Sequence, residues 1–151
     1  MPQLLVLAMG RQVIIDKDTN LVSVVSIFSG FTAQKKKDDG VVNTTVPLDW
    51  GCAAILRRTE EDEGRVYEFQ FRLTFPDGTV HYEAALPISI DVLTNSMVVR
   101  GADFPASQDG TYLMTASLRE YDVEAEWQKV GQFPIDVSFL PPEESEVPDE
   151  G

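Results

Sequence analysis

Residues 66–75 alternate without a break: Tyr67, Phe69, Phe71, Leu73 and Phe75 fall on one side, Glu68, Gln70, Arg72 and Thr74 on the other. Apolar side chains at every second position belong to a strand with one face in a core and the other in water. Pro76-Asp77-Gly78 follows, where proline pre-sets one turn position and glycine supplies a positive φ. Residues 79–85 then run back with Val80, Tyr82 and Ala84 as the inward set, so the pattern predicts a β-hairpin. Two further stretches alternate in the same way. Tyr112, Met114, Ala116 and Leu118 share one face of residues 111–119, and Phe133, Ile135, Val137 and Phe139 share one face of residues 132–140.

Weaker strand patterns cover residues 4–9, 12–15, 21–28, 52–58, 97–101 and 126–130, while 86–92 reads as a short strand or an extended crossover. Asp16-Lys17-Asp18-Thr19-Asn20 lies between two β-branched runs and predicts a hairpin loop. Gly10 interrupts the first run and predicts a bulge, or a bend where one long strand changes sheets. Seventeen valines and nine prolines work against helices, because β-branching restricts helical rotamers and proline removes a donor. Short strands at this spacing predict an all-β, antiparallel Ig-like β-sandwich of about 8–9 strands. The domain is expected over residues 3–140. Residues 141–151, with five acids, three prolines and no base, are expected to form an acidic disordered tail.

Composition narrows the partners. The 151 residues are 43% hydrophobic and carry a net charge of −13. A field of that sign repels nucleic-acid phosphates and anionic lipid, so neither nucleic acid nor membrane is expected as a partner. No basic leader precedes the short apolar run at residues 4–9, and no window approaches the ~20 apolar residues of a membrane span. With one cysteine besides, the expectation is a cytoplasmic protein, or one assembled into a virion in such a cytoplasm.

Candidate chemistry is sparse. A nucleophilic dyad needs Cys52 beside His81, yet His81 lies between inward residues and is expected to face solvent, while Cys52 sits in an apolar run. The chain holds no nucleophile elbow and no glycine-rich phosphate loop. A lone histidine and a lone cysteine are too few for a zinc site, so no cofactor is expected. Asp16-x-Asp18-x-Asn20 matches the opening of a calcium loop, but Leu21 stands at the glycine position and Ile27 at the bidentate glutamate position. A polar hairpin turn is the expected role of Asp16, Asp18 and Asn20, with calcium as a weak candidate. Glu60, Glu61, Asp62 and Asp103 offer further carboxylates whose spacing does not converge, and Thr59–Gly64 is expected to be a solvated loop. Trp50 and Trp127 are the candidate binding residues, since tryptophan is favoured at interface hot spots.

Asp109-Gly110-Thr111-Tyr112 resembles the tyrosine corner of Ig-like and fibronectin-type sandwiches, with Met114 where immunoglobulin domains place their second cysteine. The opening at residues 4–7, Val13-Ile14-Ile15-Asp16, the run 22–28 and Gly131-Gln132-Phe133-Pro134-Ile135 are similar to a set of small uncharacterised bacterial β-sandwich proteins. The resemblance implies a fold and supplies no catalytic residue. The expected function is therefore a non-enzymatic protein-interaction or structural module, in a bacterial accessory protein or a phage particle. A protein partner or self-association is expected through sheet edges and loops. The alternative is a calcium- or carbohydrate-dependent binding domain for a small ligand, and an enzyme using carboxylates alone ranks last.

Overall fold

The computed structural model describes residues 1–34, 47–89, 91–121 and 124–140. The tail 141–151 lies outside the described residues. In chain order the strands are β1 (Gln3–Ile15), β2 (Val22–Ile27), β3 (Gly30–Gln34), β4 (Trp50–Arg57), β5 (Val66–Thr74), β6 (Val80–Ser89), β7 (Thr94–Gly101), β8 (Gly110–Glu120) and β9 (Gln128–Leu140). The one helical element among the described residues is a single 3₁₀ turn, Glu60–Asp62, between β4 and β5.

These strands form two sheets, β2-β1-β4-β7 and β3-β9-β8-β5-β6. All neighbours are antiparallel except β3 and β9, which run parallel. One apolar cluster joins the inner faces. The first sheet gives it Met9, Cys52, Ala54, Leu56 and Met97, and the second gives Phe69, Phe71, Leu73, Met114, Leu118 and Ile135. Burying each large side chain of this kind contributes about 1.5–3 kcal/mol, which makes this cluster the main source of stability.

The alternation at residues 66–75 becomes β5, whose Tyr67, Phe69, Phe71 and Leu73 are buried. The turn after it closes as its residues dictate. Gly78 has φ 91°, the Phe75 N–H donates to the Thr79 carbonyl at 2.8 Å, and the Asp77 carboxylate accepts the Thr79 N–H at 2.8 Å. The Tyr112 hydroxyl accepts the N–H groups of Ser107 (3.0 Å) and Gln108 (2.9 Å) and donates to the Gln108 carbonyl (2.9 Å). Those bonds tie the start of β8 to the loop before it, as a tyrosine corner does.

Four expectations are corrected. Val80 does not join the inward set: the register shifts between Leu73 and Thr74, which leaves Val80 opposite Thr74 and exposed. Residues 86–89 continue β6 through Pro87, tolerated because β6 is an edge strand. The pattern at 126–130 is not a strand of its own but runs from Gln128 into β9. Gly10 does not mark a change of sheet, because β1 stays in the first sheet along its whole length. A Cβ at Gly10 would meet Val24 Cγ1 and the Val25 carbonyl at 2.6 Å each, so glycine is there to admit β2. The chain changes sheets later, between β2 and β3, just after Ser26 at φ 54°.

Candidate interaction surface

The two sheets present opposite chemistry to the outside. On the second sheet the outward positions of β5 and β8 pair Glu68 with Arg119, Gln70 with Ser117 and Arg72 with Thr115. Ion pairs cross this surface, Arg119 to Glu68 at 2.7 Å and Arg72 to Glu83 at 3.2 Å, and the Gln70 amide donates to Glu83 at 2.9 Å. This is a polar sheet face, with Gln70 and Ser117 themselves buried on it.

The first sheet differs. Inward Cys52, Ala54 and Leu56 alternate along β4 with outward Gly51, Ala53, Ile55 and Arg57. Cross-strand register sets Val6, Ile55 and Ser96 in one outward row, Ala8, Ala53 and Val98 in the next, and Gly10, Gly51 and Arg100 above them. Gln3, Arg57 and Thr94 close the lower end. These rows carry no carboxylate. Ala8 and Ala53 are buried in them, at 8% and 1% exposure, and Val6, at 42%, stands at the margin. β1 and β7 flank β4, β2 reaches β4 at the upper end, and β1 meets β9 across the core.

At the upper end β1 parts from β4 beyond the Gly10–Gly51 pair while remaining paired with β2. The Val13 carbonyl thereby loses a strand partner, and Arg100 replaces it with two donors, Nε at 3.3 Å and Nη2 at 3.0 Å. Gly51 makes the crossing possible, since Val13 Cγ2 lies 2.6 Å from where its Cβ would be. An open groove of about 1040 Å³ runs along this gap, bordered by Arg11, Arg100, Asp49 and Asp103. It is a mixed-charge trough and lacks the apolar enclosure of a small-molecule pocket. Beside it, β2 forms the sheet edge with no charge and no proline, and Val25 and Ile27 are exposed on it.

The residues singled out from sequence are scattered. Trp50 is only 5% exposed; its ring packs edge-on to Tyr82 at 5.8 Å and against Gly101, so it borders the groove from within the core. Trp127 is half-buried, with the Arg119 guanidinium 4.2 Å from the ring centroid. Cys52 is buried in the first sheet, where burial pushes its thiol up to about 12. His81 is exposed on the second sheet and stacks on Phe75 at 5.1 Å, so the structure does not bring Cys52 and His81 together. Asp16 uses its carboxylate inside the hairpin turn, accepting the N–H of Asp18 at 2.8 Å and of Thr19 at 3.3 Å, while Asn20 takes φ 59°. Among the described residues no three His, Cys, Asp or Glu side chains gather as a metal site. Glu60 and Glu61 follow the end of β4 whereas Asp103 follows the end of antiparallel β7, which puts them at opposite ends of the fold.

One acid defies the expectation of a solvated loop. Asp62 is fully buried, where its carboxylate accepts the Tyr67 hydroxyl at 2.6 Å, the Thr59 N–H at 2.7 Å and the Thr59 hydroxyl at 2.8 Å, with the Met1 ammonium 3.1 Å away. The signal for it was the spacing Thr59-x-x-Asp62, half of a capping box, followed five residues on by an inward tyrosine. The outer face of the first sheet was also missed. Its signal was Trp50-Gly51-Cys52-Ala53-Ala54-Ile55-Leu56, an apolar run without alternation, as expected of a strand buried on both faces.

Compared with known proteins, the chain matches no family model and no curated protein.

Proposed function

We propose that this protein is a non-enzymatic interaction or structural module that docks another protein along the β2 edge of its first sheet. The observation that carries this reading is an edge strand without charge or proline, with Val25 and Ile27 exposed on it at 41% and 62%, on a chain of net charge −13. An edge that meets only water is ordinarily blunted by charge or proline, and exposed apolar surface marks interaction sites. The uncharged edge of β2 adds backbone groups that a partner strand can complete. The parallel β3–β9 pair and the Tyr112 corner support kinship with Ig-like sandwiches, scaffolds on which function rests in faces and loops. A cytoplasmic bacterial accessory protein, or a component of a phage particle, is the setting this reading fits.

The test compares wild type with Ile27→Glu, which sets a carboxylate on the exposed β2 edge, and with Thr115→Glu on the outside of the second sheet. Each bait is cross-linked in cell extract and analysed by mass spectrometry after a check of its melting curve. A species captured by wild type and by Thr115→Glu, and lost with Ile27→Glu, supports the proposal. Equal capture by all three baits, or a monomer without cross-linked species throughout, overturns it.

A further inference from the structure

The first sheet ends in β2 and β7, the second in β3 and β6. β7 carries Arg100, β6 carries Glu83 and Pro87, and β3 turns Phe31 and Ala33 toward the core. Among these edges β2 is the one that combines no charge with exposed apolar side chains. The two most exposed large apolar residues among those described flank it: Leu21, just before the strand, at 68%, and Ile27, at its end, at 62%. They lie three positions either side of Val24. The free backbone groups centre on the same residue. The Asp16 N–H donates to the Leu21 carbonyl at 2.9 Å, and β1 and β2 keep one register from Ile15–Val22 to Gly10–Ile27. Backbone groups alternate in direction along an antiparallel strand, so those of Leu21, Ser23 and Val25 face β1 while those of Val22 and Val24 face the open edge.

We infer that the protein docked on this edge is a second copy of the chain, whose β2 pairs antiparallel with the first about a two-fold axis at Val24. This rests on the docking reading above and names its partner. A two-fold axis through an antiparallel pair sets one residue opposite itself, so an axis at Val24 lets the two Val24 residues exchange N–H···O bonds. Leu21 of each copy then stands against Ile27 of the other, and Ser23 against Val25, on the side of the strand that is exposed in one chain alone. An axis at Ser23 would leave Ile27 opposite Thr19, and one at Val25 would leave Leu21 opposite Ser29. A strand from an unrelated protein requires no such symmetry about one residue. No charged residue lies between positions 21 and 34, so the pairing brings no acids together although each chain carries −13. Ser26, at φ 54°, keeps the backbone ladder short, and a contact of this size gives a weak dimer.

Self-association is read by sedimentation equilibrium over about 5 to 500 µM, the range in which so small an interface fills. Wild type and Thr115→Glu are expected to pass from monomer to dimer, and Ile27→Glu to stay monomeric. Dimerisation should strengthen from low to moderate salt, because salt screens the repulsion between two acidic chains. Register is read by mixing the Leu21→Cys and Ile27→Cys variants under mild oxidation. Both positions are exposed, so the fold is kept, and Cys52 is buried away from the reaction. The mixed disulfide is expected in roughly fivefold excess over either symmetric one, since Leu21 faces Ile27 while the two Leu21 positions lie about 20 Å apart. A monomer throughout, a dimer that Ile27→Glu leaves unchanged, or no excess of the mixed disulfide over random pairing overturns the inference. Capture of a different protein in extract by wild type, lost with Ile27→Glu, leaves the docking reading standing after that failure.

Discussion

The Tyr67 hydroxyl donates to the carboxylate of Asp62 across 2.6 Å, inside the fold, five residues away along the chain. Burial by itself would raise the Asp62 pKa, but the bonds from Tyr67 and from the Thr59 N–H and hydroxyl outweigh it and hold the carboxyl well below the usual range. Its own burial, and then the same pairing, push Tyr67 up to about 12. A 3₁₀ turn that reads as surface is thus pinned to the first residues of β5.

This pair sets the acid limb of stability. A carboxyl whose folded pKa is depressed stabilises the fold above its unfolded pKa, about 3.9, and that contribution fades as pH falls below it. Urea midpoints between about pH 3 and pH 7 should therefore decline on the acid side for wild type and decline less for Asp62→Asn, which is already weaker at neutrality. Tyr67 acts in the opposite sense, its contribution fading as pH rises through about 10 to 12. An unchanged acid limb in Asp62→Asn would remove this account.

Tyr112→Phe removes the acceptor for two backbone N–H groups and the donor to the Gln108 carbonyl. Leaving such groups unpaired costs about 1–3 kcal/mol, read as a shift in denaturant midpoint at constant slope. Amide exchange at Ser107 and Gln108 should accelerate more than at Ala116 in the middle of β8.

Cys52 should resist modification in the folded state. Its thiol is wholly buried and pushed up to about 12, so almost no thiolate exists at neutral pH. Labelling with a disulfide reagent is expected to wait for unfolding, with a rate that rises with urea as the unfolding rate does. Prompt labelling in native buffer would contradict the burial.

Gly101→Ala should displace Trp50. A Cβ at that position would run into the indole ring, which is rigid and already packed on Tyr82. Overpacking of this kind costs about 1–3 kcal/mol. Tryptophan fluorescence should shift in the folded protein, whereas a Trp127→Phe background retains the shift and assigns it to Trp50.

Local pattern alone sufficed for the all-β class, for the hairpin around Pro76-Asp77-Gly78 and for the inward set of β5, because period-two alternation and turn chemistry act between residues close in sequence. The corner at Tyr112 was readable for the same reason, its partners lying four and five residues upstream. Tertiary structure decided the rest. Asp62 looks like any acid in Glu60-Glu61-Asp62-Glu63 until β5 delivers Tyr67 to it, and Trp50 looks like a free anchor until β6 and β7 bring Tyr82 and Gly101 against its ring. Arg57 and Arg100 lie 43 positions apart in sequence and share a face only because β4 and β7 pair in one register. Which side chains end up together across strands depends on sheet order and register, and these follow from packing the whole core rather than from any one segment.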